Sequence, residues 1–542
     1  MKKIFKNPLI IFLLFLVIGL GIYANSFDNE LFWDDHDSIV NNAYIKDWKF
    51  LPNFFTENLI AGAGQISNYY RPILLISFAL DYHIWGLEPL GFHFTNTIIH
   101  IFSAWLVYLI LMLIMSSLKN DKIASKYSLW LSFIPALMFL VHPLQTEAVS
   151  YVAGRADPLS TLFSLLAIWF YLSFRRNKQN KKANYGFCLL FFILGILTKE
   201  QVILLPLLMM LVDWALENFS LKKDKIAAIL KRTVPLFFLS AVYLVLHFTI
   251  LNFKGEGDFS YHNEIYNQNI LIRIFTFFKV MLSYFKLLFV PAGLHMAREV
   301  APVLSFLSWP VLGFLLLFSL LVLICVKTWR KSKLPCLGFL WFFIILSPRM
   351  NILPVNRPMY EHWLYLPMVG FWLAVISLVF LLIGMMKNGR LKKVVIGFLA
   401  LLFAICSLQF VYLTISRNND WQDPITFYEK NLQYTPNSFI QHNNLGMAYA
   451  EQRRFEESIA EYNKAIAIKD IYPQVHHNLA NSLAALGKFD EAIEEYERAL
   501  EISPLFEPSY GPLAELYGLA EEKEKIQGLY DKYYKNFNKN KK

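Results

Sequence analysis

The sequence predicts an all-α chain: a polytopic transmembrane helix bundle of about eleven spans, with a small helical-repeat solenoid at its C-terminal end. Three observations predict it. Apolar stretches of about 15 to 24 residues recur from Pro8 to Ile415, close to the ~20 residues that cross a bilayer. Hydrophobic residues make up 56% of the 542 and charged residues only 17%, against about a quarter in a soluble domain. After Ser416 the chain turns polar, rich in Glu, Lys, Asn and Tyr, and its motifs recur at one fixed step.

The N-terminus is basic (Lys2, Lys3, Lys6) and runs into an apolar stretch at 8–24. A small-x-small cleavage pattern is missing, so a retained first helix is expected rather than a removed signal peptide. A long external loop, 25–93, follows. It is too aromatic for a linker, and stretches such as 73–85 read as helices lying on the membrane surface. The remaining spans fall at 94–117, 128–142, 157–174, 184–198, 201–215, 233–252, 303–326, 335–348, 363–385 and 394–415. With Lys2, Lys3 and Lys6 in the cytoplasm, the basic loops 119–126, 175–182, 222–232, 327–333 and 387–393 share that side. The stretch 270–290 is apolar but carries Arg273, Lys279 and Lys286, and a crossing there would put the 327–333 cluster on the wrong side. It is read as an interfacial or re-entrant helix. The membrane domain is thus 1–417 and the repeat domain 418–542, outside the cytoplasm.

The repeat is explicit. Leu445, Leu479 and Leu513 are 34 residues apart, as are Phe455 and Phe489, Tyr462 and Tyr496, and Ala465 and Ala499. Period and residue types match the tetratricopeptide pattern: two good repeats, a half-repeat from Trp421 and a degenerate third from Pro508. The net charge of +10 sits in short loops between spans, which fits membrane orientation and excludes nucleic acid as a partner. Cys188, Cys325, Cys336 and Cys406 form no CxxC pair, so neither a disulfide framework nor a zinc site is expected.

Four external windows carry chemistry. The first, 33–42, holds Asp34 and Asp35 among aromatics at a membrane surface, where partial desolvation makes a carboxylate a stronger base; a loop acid or helix cap is the bland alternative. The second, 142–159, gathers His142, Glu147, Arg155 and Asp157. Asp157-Pro158 also reads as a helix start, while Arg155 at a membrane edge needs an anionic partner. In the third, Lys199 and Glu200 pair with each other, or Lys199 faces a phosphate. The fourth, 346–367, holds Arg349, Arg357, Glu361, His362 and Tyr365, a phosphate fork or an interfacial anchor. All four fall on one face under an orientation chosen from Lys and Arg alone. That arrangement suits lipid-phosphate chemistry. No P-loop, GxGxxG, HExxH or nucleophile elbow is present.

These residues resemble the transmembrane and tetratricopeptide-repeat O-mannosyltransferase family and its bacterial relatives, multi-spanning C-superfamily glycosyltransferases. The likeness rests on Trp33-Asp34-Asp35, Tyr70-Arg71-Pro72, Phe92-His93 with Asn96 and His100, and His142-Pro143 with Thr146-Glu147-Ala148-Val149. It continues through Gly154-Arg155 with Asp157, Lys199-Glu200, Arg357-Pro358 with Glu361, Tyr365-Leu366-Pro367, and Trp421 with Asp423 ahead of the repeats. The resemblance implies an inverting transfer of a sugar from a polyprenyl or dolichyl phosphate to an acceptor hydroxyl. Asp34 would be the base, with Asp35 assisting. Arg155, Lys199 and Arg357 would contact phosphate, and Arg71 more weakly. His93, His142, Glu147 and Glu361 would position sugar or acceptor, with Asp157, Glu200 and Tyr365 also in the substrate site. It implies a membrane-embedded lipid-linked sugar and an acceptor protein or glycan as partners, the repeats recruiting the acceptor. The location would be the periplasmic face of a bacterial inner membrane or the lumen of the endoplasmic reticulum. No cofactor is expected, since two or three cations can neutralise a departing phosphate; a divalent metal stays open as the alternative. Two repeats are fewer than the animal members carry, so sugar and acceptor identity stay open. A lipid-linked glycan polymerase or ligase is the competing enzyme, and a transporter the competing class, though no inverted repeat supports the latter.

Overall fold

The computed structural model describes residues 7–118, 120–176, 179–251, 253, 264–296, 298–350 and 357–537. They form helices and turns, and no strand occurs among them. The chain divides into two units, Met1–Gln422 and Asp423–Lys542.

The first unit contains α1 (Pro8–Tyr23), α2 (Pro72–Trp85), α3 (Pro89–Ser117), α4 (Lys122–Val141), α5 (Ala156–Arg176), α6 (Lys181–Ile196) and α7 (Leu205–Leu216). It continues with α8 (Lys223–Thr249), α9 (Ile270–Phe289), α10 (Trp309–Thr328), α11 (Leu334–Leu346), α12 (Pro367–Met385) and α13 (Gly389–Asn418). Among the described residues, eight helices are long and apolar enough to cross a membrane: α1, α3, α4, α5, α8, α10, α12 and α13. The chain is an integral multi-pass membrane protein. The other three expected spans are helical but short, with 16, 12 and 13 residues in α6, α7 and α11. Helices below ~20 residues do not match a full hydrocarbon core. At one place the packing demands glycine. A Cβ on Gly338 in α11 would lie 2.5 Å from the Gly370 carbonyl oxygen of α12, so the pair lets two backbones touch.

The helix ends sort into two groups. At one end Asp121 caps α4 and also accepts from Ser332 Oγ at 2.7 Å, Lys333 Nζ donates to the Asn218 carbonyl at 2.6 Å, and Arg175 and Arg232 converge on Asp213. The basic loops 119–126, 175–182, 222–232 and 327–333 therefore meet at one end, while Lys2, Lys3 and Lys6 lie outside the described residues. At the other end Asn25 bonds Asn419, and Asn29 bonds the Asn418 carbonyl, tying α1 to α13. In helix α9, Thr276 and Lys279 bond the backbone at Val303 and Ala301, while Tyr284 and Leu288 bond Tyr360 and His142.

The second unit pairs helices as the 34-residue step requires. A lone α14 (Pro424–Leu432) precedes α15 (Phe439–Glu451) with α16 (Phe455–Ile468), α17 (Pro473–Ala485) with α18 (Phe489–Ile502), and α19 (Tyr510–Leu519) with α20 (Lys523–Phe537). The repeated Tyr462, Ala465, Leu479, Tyr496 and Leu513 are buried in one shared core. Gly446 is required because a Cβ there would meet the Tyr462 ring at 2.6 Å. The division after Gln422 lies five residues beyond the expected 417 boundary, because Trp421 is buried in the membrane unit and stacks on Tyr151 with ring centroids 5.2 Å apart.

Candidate active site

Asp34 opens a short helical turn that continues as a π-turn over His36–Val40. The residue before it, Trp33, has φ +59°, a left-handed conformation that a bulky side chain adopts only when its surroundings impose it. Here they do. The Trp33 indole stacks on Tyr151 at 5.6 Å and 23°, and Tyr151 stacks in turn on Trp421. Asp35 is buried and accepts from the Ala153 amide at 2.7 Å and the Phe32 amide at 3.4 Å. Burial raises its pKa well above the usual carboxylate range. Asp35 therefore fastens the loop, and Asp34 is the one that reaches out.

Asp34 is solvent-accessible yet lies deep within the protein mass, which describes a recess rather than an outer surface. That desolvation raises its pKa, opposed by a hydrogen bond from Tyr151, reinforced by Asp37 and weakly opposed by Arg71. Next along the recess, Arg71 lies over the Tyr69 ring at 4.3 Å, with Nη2 3.5 Å from both Glu200 oxygens. Burial disfavours the Glu200 carboxylate, but Arg71, Lys199 and Arg349 outweigh it and hold its pKa down at about 2. Lys199 pairs with Asp157 at 2.7 Å, buried on both sides, so Lys199 and Glu200 do not pair with each other. Arg349 lies over the Trp363 ring at 4.6 Å, and its Nε has no hydrogen-bond partner among the described residues. Asp34, Arg71, Asp157, Lys199 and Glu200 thus come together, though they lie in four separate stretches of chain, and Arg357 acts electrostatically on nearby Tyr360.

The other expected site residues turn inward. Arg155 is wholly buried; it forms an ion pair with Asp81 at 2.5 Å and donates to Asn96 Oδ1 and the Phe92 carbonyl. A guanidinium so enclosed cannot reach a phosphate. It ties α2 and α3 to the 153–155 turn. His93 and His142 are buried against the backbone carbonyls of Asn29 and Leu288, and Tyr365 bonds buried His100. These three hold helices together and do not line the recess. Glu147 and Glu361 are also buried. Glu361 pairs with Arg298 and accepts from the His295 amide, while Glu147 receives three hydrogen bonds from the 361–362 segment. They support the fourth window from behind instead of touching substrate.

The chain is similar to several known proteins. It is 26% identical over 471 residues to a protein O-mannosyl-transferase of Caenorhabditis elegans, covering 85% of this chain and 63% of that one. It is 25% identical to protein O-mannosyl-transferase TMTC4 of Homo sapiens, covering 82% and 65%, and 36% identical over 160 residues to TMTC1 of Mus musculus, covering 29% and 16%. The chain therefore spans less than two thirds of the length of these relatives. Residues 448–487 and 473–506 match tetratricopeptide repeat families. The tail carries tetratricopeptide repeats. Among solved structures, ArnT from Cupriavidus metallidurans, bound to undecaprenyl phosphate, aligns over 90% of this chain and 79% of its own at 14% identity and a TM-score of 0.35, too distant to carry an argument.

Some members of the site were not singled out from the sequence. Arg298 and Tyr151 lie outside any window read as chemistry or within one for other reasons. Arg349 stood in the fourth window as half of a phosphate fork or an interfacial anchor, and His362 without a role. Tyr69 precedes the motif at Arg71, and its aromatic platform has no sequence signal of its own. Among the described residues no three His, Cys, Asp or Glu side chains gather as a metal would require.

Proposed function

We propose that this chain is an inverting glycosyltransferase. It moves a hexose, mannose by analogy with its relatives, from a polyprenyl or dolichyl phosphate to a hydroxyl of an acceptor protein. The observation that carries the reading is Asp34: an accessible carboxylate of raised pKa, held out by a strained Trp33 and within reach of Arg71. In the step, the acceptor oxygen attacks the anomeric carbon as its proton passes to Asp34. The bond from that carbon to the phosphate oxygen breaks on the opposite face, and the lipid phosphate departs with the electron pair. Arg71, Arg349 and Arg357 face the charge that develops on the phosphate while Lys199 stays paired with Asp157, and fixed cations in a site of low dielectric stabilise that charge without a metal. The recess lies on the non-cytoplasmic side, where the orientation of the basic loops puts it, and the repeats recruit the acceptor. The test is transfer by purified protein from polyprenyl-phosphate-linked mannose, in the presence and absence of a chelator. Transfer that Asp34→Asn leaves intact removes the base, and transfer that the chelator abolishes removes the metal-free step.

A further inference from the structure

We infer that His362, through Nε2 and together with Asp157, takes a hydroxyl of the donor's sugar and so fixes which hexose enters the recess. The inference rests on the glycosyl-transfer reading and deepens it.

Glu147 accepts from the Glu361 amide at 2.9 Å and the His362 amide at 3.2 Å, and its other oxygen lies 2.6 Å from His362 Nδ1. With Glu147 as acceptor, Nδ1 carries a hydrogen and the ring presents Nε2 as its outer edge. Two backbone bonds and one ring bond to a single buried carboxylate leave the imidazole no freedom to turn. Its Nε2 edge then faces Asp157 Oδ2 at 4.0 Å, too far for a hydrogen bond. A hydroxyl seated off the line that joins them comes within hydrogen-bond distance of both and gives its one hydrogen to one of the two. Asp157 is itself held by Lys199 and Gln201, so it does not swing to close the gap. The His362 side chain is partly accessible, at 19% exposure, unlike Glu147 behind it. Tyr360 packs beside the ring at 5.0 Å, and Trp363 carries Arg349 over its face. A polar edge with two fixed hydrogen-bonding atoms, an aromatic flank and a cation beyond it is the chemistry that recognises a hexose attached to a phosphate.

His362→Asn separates this role from a structural one, because the Asn carboxamide reaches the Nδ1 position and keeps the bond to Glu147 while removing Nε2. With polyprenyl-phosphate-linked mannose, kcat/KM should fall about tenfold, as expected when one hydrogen bond to substrate is lost. Binding of sugar-free polyprenyl phosphate and the thermal midpoint should stay at wild-type values. Among monodeoxy mannose donors, one should be a poor substrate for wild type by a similar factor, and His362→Asn should add no further loss with it. Wild-type activity in His362→Asn, a parallel loss of sugar-free lipid phosphate binding, or fully additive losses with every deoxy donor overturns the assignment. A wild-type protein that transfers no hexose from any lipid phosphate overturns the glycosyl-transfer reading and this assignment with it, whereas an active wild type with an unaffected variant overturns this assignment alone.

Discussion

The membrane unit has a charged cluster at each end, and the two differ in whether every charge is enclosed with a partner. At the end with the basic loops, buried Asp213 accepts from Tyr171 Oη and Arg232 Nε at 2.7 Å and pairs with Arg175, while Glu217 takes Arg175 at 2.6 Å and Lys225 at 2.9 Å. Each charge there is spent on a neighbour, and the cluster pins α5, α7 and α8 together. At the other end Asp34 meets Arg71 only as a weak attraction, and Arg349 rests on an aromatic ring. Charge inventories of the two clusters are similar. What separates a staple from a site is whether the groups have already satisfied one another, since an ion pair closed inside the protein offers nothing to a ligand.

That contrast can be broken by substitution. Asp34→Asn should cut transfer by about 10²–10⁴-fold, the usual contribution of a general base, with no loss of fold stability. The sign follows from its raised pKa: such a group favours the fold most below its unfolded pKa and loses that contribution as pH rises through the folded value, so a neutral Asn is no worse at pH 7. Thermal unfolding in detergent checks it. Asp213→Ala should do the reverse, lowering stability by about 3–5 kcal/mol because two arginines lose their buried partner, while turnover per folded molecule stays near wild type. Arg155→Met should behave like Asp213→Ala, and a specific loss of donor binding in that variant would return Arg155 to the site. Arg349→Ala should raise the donor KM about tenfold, the worth of one charge-assisted hydrogen bond. The smallest effect is on pH. Asp34 must be ionised to act, so activity rises with pH through its pKa; Tyr151→Phe removes the bond that lowers this pKa, and the acid limb of the pH profile should move upward.

Much of this arrangement is legible in the sequence, and the limit is instructive. The positions of α1, α3, α4, α5, α8, α10, α12 and α13 follow from apolar length, and the pairing of α15 to α18 from the 34-residue step, because both signals are local. The windows that bear charge are also visible in the sequence, because each is a local cluster. The division of labour inside them is not. His142, Glu147, Arg155 and Asp157 lie within sixteen residues, which invites a single site. Yet a turn at Pro143–Gln145, a short helix at Thr146–Val149 and a turn at Ala153–Arg155 send the four side chains to Leu288, His362, Asp81 and Lys199 respectively. Partners 42 to 215 residues away in sequence decide whether a charge is strut or reagent. No pattern within one window holds that information.

The clasp between the first and last membrane helices has a consequence for timing. Asn25 bonds Ile415, 390 residues later, and Trp421 completes the stack on which Trp33 rests. During synthesis the Asp34 loop emerges almost at once, yet its anchor is among the last parts of the membrane unit to be made. The stack under Trp33 therefore cannot be complete until α13 and Trp421 have been made, and closing so long a loop is slow.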